Sequence, residues 1–288
     1  MMVRPSAISR YISLGIHGKP IRDLSSMPVT VPVTEEEVAA KKLCWRNLEL
    51  ATRALHRDGL VVLQDAIAHS RLDALNKTMV QDALKLQAQG DAGPFNYNKG
   101  ALPPAPGVEP QSQPVHTDAD FDHPESPFAL VVNVPLIDMD IHNGSTEVWL
   151  GTHNTTSLAA QEGKQGDRAS GRIAKDLLEE RRQQRPPSQP LVRKGSIVIR
   201  DLRLWHAGKP NFSNDIRVML AMIHFAPWYR NTMKVEFSED LEAVLDRDGS
   251  DLQIQKTLVS EQTILDEYLN RGYGNSYNFD QESRLENF

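Results

Sequence analysis

The sequence predicts a mainly β protein, a sandwich with helices against one side and a pocket within. Three observations carry this. Strand-like runs crowd the second half, at Pro127 to Leu136, Thr146 to Leu150, Ser196 to Ile199 and Ile216 to Phe225, punctuated by Asn143-Gly144, Gly195 and Asn214-Asp215. Several are apolar at both parities, as from Val218 to Ile223, which implies a sheet covered on both faces. The first third carries helical spacing instead.

In chain order, residues 1–33 read as a flexible arm. Arg4, Arg10, Lys19 and Arg22 make its start basic, while Pro5 and Gly15 interrupt any amphipathic helix there. Residues 34–90 read as helical support with one strand. Thr34 and Glu37 form a capping-box pattern, and Val38, Leu43, Leu48, Ala51 and Leu55 predict one helix running to about Arg57 and ending at Asp58-Gly59. Leu60 to Leu63 is a short strand, and Ser70 caps a second helix carrying Leu72, Leu75, Met79 and Leu84. From Gly90 to Gln113 glycine and proline dominate, so a long loop is expected, of the kind that carries function. The β core spans 91–230, with a helical and loop insertion around 155–190 that includes a charged helix from Ile173 to Arg182. Residues 231–288 are a C-terminal extension. The whole reads as one domain, 1–288.

The bulk numbers exclude several classes. A chain that is 40% hydrophobic and 24% charged has material for a core, which argues against disorder. The net charge of −6 provides no basic field for nucleic acid or anionic lipid, so neither partner is expected. The longest apolar run, Phe128 to Ile137, is too short for a membrane span and is interrupted by Asn133. The single cysteine, Cys44, excludes an internal disulfide and a cysteine zinc cage, and fits a reducing, cytoplasmic setting. It is expected to be a small buried hydrophobe. A small-molecule substrate is the expected partner, and a homodimer is compatible with the composition.

In QPVHTDADF, His116 and Asp118 stand two apart, so an extended strand projects both from one face. With a distant histidine, His206 in RLWHAG, they supply the two imidazoles and one carboxylate of a non-haem iron(II) site. The H-x-D pattern alone is weak. His56 and Asp58 form another, read as a helix terminus, and His123 and Glu125 a further pair that Pro124 makes unsuited to a regular strand. A second element raises the first pair: Arg217 follows His206 across the turn Asn211 to Asp215. An arginine there can take the far carboxylate of a dicarboxylic co-substrate whose keto acid end chelates the metal, which is a mechanism for 2-oxoglutarate. Two rival readings stay open: a metal-dependent hydrolase on a cupin-like scaffold, and a non-catalytic small-molecule-binding sandwich.

The blocks DGLVVLQDAI, QPVHTDADF, NGSTEVWLGTHN and KGSIVIRDLRLWHAGKPNFSNDIRVMLAMIH, in this order, resemble the phytanoyl-CoA dioxygenase family of iron(II)/2-oxoglutarate oxygenases. Their wording is most similar to that of fungal members acting in secondary metabolite biosynthesis. The resemblance implies a double-stranded β-helix core, a jelly-roll or cupin-like fold. It implies iron ligation by His116, Asp118 and His206, 2-oxoglutarate binding by Arg217, Thr146 and Gln113, and dioxygen as the other co-substrate. The implied reaction is hydroxylation, desaturation or ring formation at an unactivated carbon, with succinate and carbon dioxide released. Halogenating relatives have a small residue in place of Asp118, so halogenation is not expected. The GTHN block departs from the family's usual PGSH, and His153 within it is expected to be a hydrogen-bonded structural residue. Tyr97, Asp120 and Phe121 are candidate substrate contacts in a lid formed with the helix after Ile173. His17, His69 and His142 are expected at the surface, and His224, opposite in parity to Arg217, points away from the metal face.

Overall fold

The computed structural model describes residues 26–88, 111–162, 171–231, 234–246 and 252–270. In chain order these form β1 (Val29–Pro32), α1 (Glu35–Ala40), α2 (Trp45–Asp58), β2 (Leu60–Gln64), α3 (His69–Ala88), β3 (Ala129–Pro135), β4 (Glu147–Val148), β5 (Gln161–Glu162), β6 (Arg172–Ile173), α4 (Lys175–Gln184), β7 (Ile197–Asp201), β8 (His206–Ala207), β9 (Met219–Phe225), β10 (Val235–Ser238), α5 (Glu242–Asp246), β11 (Lys256–Val259) and α6 (Glu261–Asn270). The main sheet runs β1-β2-β7-β3-β9, antiparallel except for the parallel β1-β2 pair. The protein is thus mainly β with flanking helices.

Strand alternation divides the main sheet's side chains between two faces. On the outer face, Val61, Leu63, Ile197 and Ile199 pack against Ala51 and Ala54 of α2, while Val132, Val134 and Leu220 pack against Leu72 and Met79 of α3. On the inner face, Leu60, Val62, Val198 and Met219 form a cluster with Val148, Leu150 and Leu204. Both faces are therefore covered over β2, β7 and β3, which explains why those strands are apolar at both parities, whereas the edge strand β9 leaves Ala221 and Met222 exposed. Arg200 and Asn133 interrupt the inner face with polar groups that are nevertheless buried.

The single first helix that the spacing predicts is two helices at a corner. Lys41 turns left-handed (φ 51°) and ends α1, and α2 restarts with Cys44 as its cap. The cause is Glu37. Its carboxylate accepts hydrogen bonds from the backbone N–H of Thr34 (2.9 Å) and Cys44 (2.7 Å) and from Asn47 Nδ2, closing both the capping box and the corner. Restarting the helix rotates the apolar stripe, which leaves Val38 and Leu48 exposed. Cys44 is exposed as well, its sulfur accepting from Asn47 N at 3.5 Å, so it is not the buried hydrophobe expected. β1, β10 and β11 are strands that the sequence pattern did not show.

The bonds that Thr34 and Cys44 donate lower the Glu37 carboxyl from its usual 4.5 to about 2. A depressed carboxylate contributes stability that is complete above pH 4.5 and lost as pH falls toward 2. Denaturant titrations at stepped pH are expected to show an extra stability loss in that window, and Glu37→Gln should flatten it. Equal acid limbs for the two proteins would remove Glu37 from the corner's energetics.

Candidate metal and anion site

A second sheet faces the inner side of the first. Its middle strand is the irregular segment around His116, whose backbone pairs on both sides. His116 N donates to His206 O and His206 N to His116 O, each at 2.9 Å, which fastens the segment to β8. On the other edge Thr117 N donates to Gly171 O and Ile173 N to Val115 O, both 2.9 Å, which fastens it to β6. Gly171 (φ 79°) is required there, because a Cβ would stand 2.5 Å from Thr117 O. β4 pairs with β8 on the far side, Val148 opposite His206. The outward face carries Trp149, Trp205, Ile173 and Val115 under Leu177 and Leu178 of α4. The helix after Ile173 thus lies on this sheet's back, which corrects its expected place in a lid over the metal.

Directly paired residues put their side chains on the same face, so His116 and His206 converge, with ring centroids 4.3 Å apart. His116 Nδ1 lies 2.9 Å from Pro114 O, and His206 Nδ1 lies 3.0 Å from Leu204 O. A carbonyl only accepts, so each Nδ1 carries a hydrogen, and it is Nε2 that offers the lone pair of the neutral ring. Both Nε2 atoms face Asp118 Oδ1, at 3.8 Å from His116 and 3.7 Å from His206. Burial pushes the His206 imidazole well below its usual range, aided by the Arg200 charge, which keeps the ring neutral. Two imidazoles and a carboxylate, with one donor atom from each all within 4.8 Å of one another, fit a divalent iron.

Asp118 arrives differently from the expectation. It does not share a regular strand with His116; it lies on a bend, and Thr117 holds the bend by donating its hydroxyl to Leu202 O and accepting from Ala119 N. Across the sandwich, Arg200 Nη2 donates to Asp118 Oδ2 at 2.5 Å, and Arg200 Nε donates to Asn133 Oδ1 at 3.3 Å. Burial pushes the Asp118 carboxyl up, but the charge and the hydrogen bond of Arg200 outweigh it and hold the group far below the usual carboxylate range. Asp118 is therefore an anion at neutral pH. Arg200 and Asn133 were missed from sequence. Their signal was an arginine at an inward parity in SIVIRD and the asparagine inside the apolar run of β3.

Arg217 is buried, and its Nε donates to Asn143 O at 3.0 Å. No carboxylate pairs with it among the described residues, and desolvation lowers its guanidinium to about 10. It shares parity with Met219, which packs on the interior cluster. Asn143 leads through Gly144 and Ser145 to Thr146, which is half-buried two residues before Val148, the partner of His206. The chain thus brings Thr146 and Arg217 toward the face that carries the histidines. Ala221, opposite Asn133 on the inward parity of β9, is exposed, so the interior is open beside Arg200.

The remaining candidates divide. Gln113 stands beside the site, but its Oε1 accepts from Gly208 N (2.8 Å) while its own N donates to Gly208 O, so it clamps the two histidine-bearing segments together. Phe121 is fully buried edge-on against Phe128, which makes it core packing and corrects its expected role as a substrate contact. Asp120 is half-buried at the edge of the same bend. Tyr97 lies outside the described residues. His153 is structural, with Nε2 3.2 Å from His56 O and burial lowering its imidazole. His56 and Asp58 close α2 at Gly59 (φ 75°), and Asp58 pairs with Arg185 at 2.9 Å. His123 stacks on Phe128. His224 takes the outward parity.

A metal gripped by this donor set on one side keeps three adjacent positions for reactants, the layout of a non-haem iron oxygenase. The chain is an oxidoreductase of that kind. More narrowly, residues 83–219 match the model of the phytanoyl-CoA dioxygenase (PhyH) family, a span that includes His116, Asp118, His206 and Arg217. Just under half of the chain is thus similar to this family. Similar solved structures include apo EctD from S. alaskensis (18% identity, TM-score 0.45, covering 71% of this chain and 82% of that one). The epimerase SnoN, solved with Fe3+, alpha ketoglutarate and nogalamycin RO, is 16% identical with a TM-score of 0.48, covering 75% and 97%. The carbocyclase SnoK from nogalamycin biosynthesis is 14% identical with a TM-score of 0.47, covering 67% and 86%.

Anaerobic titration is expected to load one iron(II) per chain. His206→Ala should weaken that binding by about a hundredfold or more, since even an outer partner of a ligand is worth roughly 10–100-fold. Parental affinity in the variant would remove His206 from the ligand set.

Proposed function

We propose that the protein is an iron(II)/2-oxoglutarate-dependent dioxygenase with a double-stranded β-helix core, oxidising an unactivated carbon of a small organic molecule. His116, Asp118 and His206 are the proposed metal ligands, and Arg217, with Thr146 nearby, the proposed anchor for the co-substrate's far carboxylate. The observation that carries this reading is Arg217, a buried cation with no carboxylate partner among the described residues, which is costly unless an anion completes it. Iron(II) supplied with 2-oxoglutarate and dioxygen yields the oxidant for an unreactive C–H bond, with succinate and carbon dioxide as co-products.

The chain's own residues do the rest. The His116 and His206 tautomers are held by carbonyls so that both lone pairs face the metal position, and Asp118 remains ionised beside Arg200. Arg217 orients a dicarboxylate in a single direction because a guanidinium matches a carboxylate edge to edge. The interior cluster around Val148, Leu204 and Met219 keeps water from one side of that space. The product outcome, whether hydroxylation, desaturation or ring formation, and a natural-product substrate remain part of the proposal. The hydrolase reading would use the same three ligands and would leave the buried Arg217 without a role.

Adding iron(II) and 2-oxoglutarate without oxygen is expected to give a weak visible charge-transfer band. Asp118→Ala should lose it. Arg217→Met should form it only at about 10–100-fold higher 2-oxoglutarate, the scale of a charged hydrogen bond of roughly 1.5–3 kcal/mol. Because it removes a desolvated cation, Arg217→Met should melt no lower than the parent without ligand. No band in the parent, or parental 2-oxoglutarate affinity in Arg217→Met, would sink the reading.

A further inference from the structure

The two oxygens of Asp118 have different neighbours. Oδ1 faces the histidine Nε2 atoms at 3.7 and 3.8 Å, while Oδ2 takes the Arg200 Nη2 hydrogen bond at 2.5 Å. No other hydrogen bond reaches the Asp118 side chain among the described residues. The bend beneath it fixes the backbone through Thr117, but nothing in that bend selects which oxygen meets the metal. Arg200 makes that selection from the opposite sheet, and it is itself aimed by Asn133 on the neighbouring strand.

A contribution to folding does not account for Arg200. Its Nη1 is buried without a partner in the described structure, and a buried ion pair is commonly no more stabilising than apolar side chains of similar volume. Its directly paired neighbours on the inner face, Leu60 on β2 and Val131 on β3, are apolar. An aliphatic residue would suit that surface. What it could not do is hold one oxygen of a carboxylate away from a metal.

We propose that Arg200 is a positioning residue that confines Asp118 to one-oxygen metal binding and so keeps the adjacent coordination position for reactants. The inference rests on the iron and 2-oxoglutarate reading above. A facial donor set leaves three positions: a chelating keto acid needs two and dioxygen the third. A carboxylate free to swing onto the metal with both oxygens takes one of these, and the count fails. Arg200 prevents the swing by giving Oδ2 a charged donor that is already desolvated and already aligned.

Cobalt(II) serves as the metal probe, with Arg200→Met and Arg200→Lys compared with the parent. In Arg200→Met the cobalt absorption spectrum is expected to change, because the carboxylate adds its second oxygen. Cobalt affinity should hold or rise, while 2-oxoglutarate affinity of the cobalt form falls by about tenfold or more, the scale of a lost charged hydrogen bond. Arg200→Lys, which keeps a charged donor, should recover most of the parental spectrum and affinity. A pure charge effect would shift affinities in Arg200→Met yet leave the cobalt spectrum parental, and that result overturns the proposal. So does a parental spectrum with parental affinities. Loss of cobalt binding in both variants together with a lowered melting temperature would make Arg200 merely structural, again overturning it. A parent that binds cobalt but no 2-oxoglutarate would instead sink the co-substrate reading, and this inference with it.

Discussion

Two backbone hydrogen bonds hold the site together. His116 and His206 exchange N–H and C=O across neighbouring segments, and this direct pairing puts two imidazoles from distant parts of the chain on one face. A register slip by one residue would send either ring to the opposite face, where Trp149 and Trp205 pack under α4. The register is guarded on every side. Gln113 grips Gly208 with both backbone and side chain, Gly171 lets β6 close against Thr117, and the large apolar groups on the back face cannot exchange places with histidines.

The two sheets contribute different chemistry to the space between them. The smaller sheet supplies the nitrogen donors, each with its ring orientation set by a carbonyl two residues earlier. The main sheet supplies cations: Arg200 beside the carboxylate and, at the lead-in to β9, Arg217. Desolvation acts in opposite ways on these groups. It makes an imidazole a better metal donor by keeping it neutral, and it makes an unpaired guanidinium demand an anion. A short turn joins the two roles, since Asp201, paired with Arg203, leads β7 directly into the segment carrying His206. Arg200 and His206 are therefore tied to one local structure, so the carboxylate's partner and the metal's nitrogen donor keep a constant relation.

Much of this was legible in the sequence because it follows from local chemistry. Thr34 and Glu37 announced a capping box, the apolar runs of β2, β3 and β7 announced covered strands, and the decoy pair His56 and Asp58 was recognisable as a helix end from Gly59. His116, Asp118, His206 and Arg217 were nameable because their residue types and order match a known chemistry. Phe121 shows where such reading fails. An aromatic beside a metal motif looks like a substrate contact, yet its ring is buried against Phe128 because the bend at Asp118 turns the following residues inward. The corner at Lys41 was hidden for a related reason: the carboxylate of Glu37 bonds a backbone N–H that lies beyond its own helix.

By itself, then, the sequence determined the helices and strands that carry a clear apolar pattern and the ordered set of candidate ligands, since these depend on residue chemistry and short spacing. Only the tertiary structure decided how the ligands meet. The His116–His206 pairing, the Arg200 bond to Asp118 and the seclusion of Arg217 all join residues remote in sequence. Spacing along a chain carries no information about which atom of a carboxylate will face a strand from the opposite sheet.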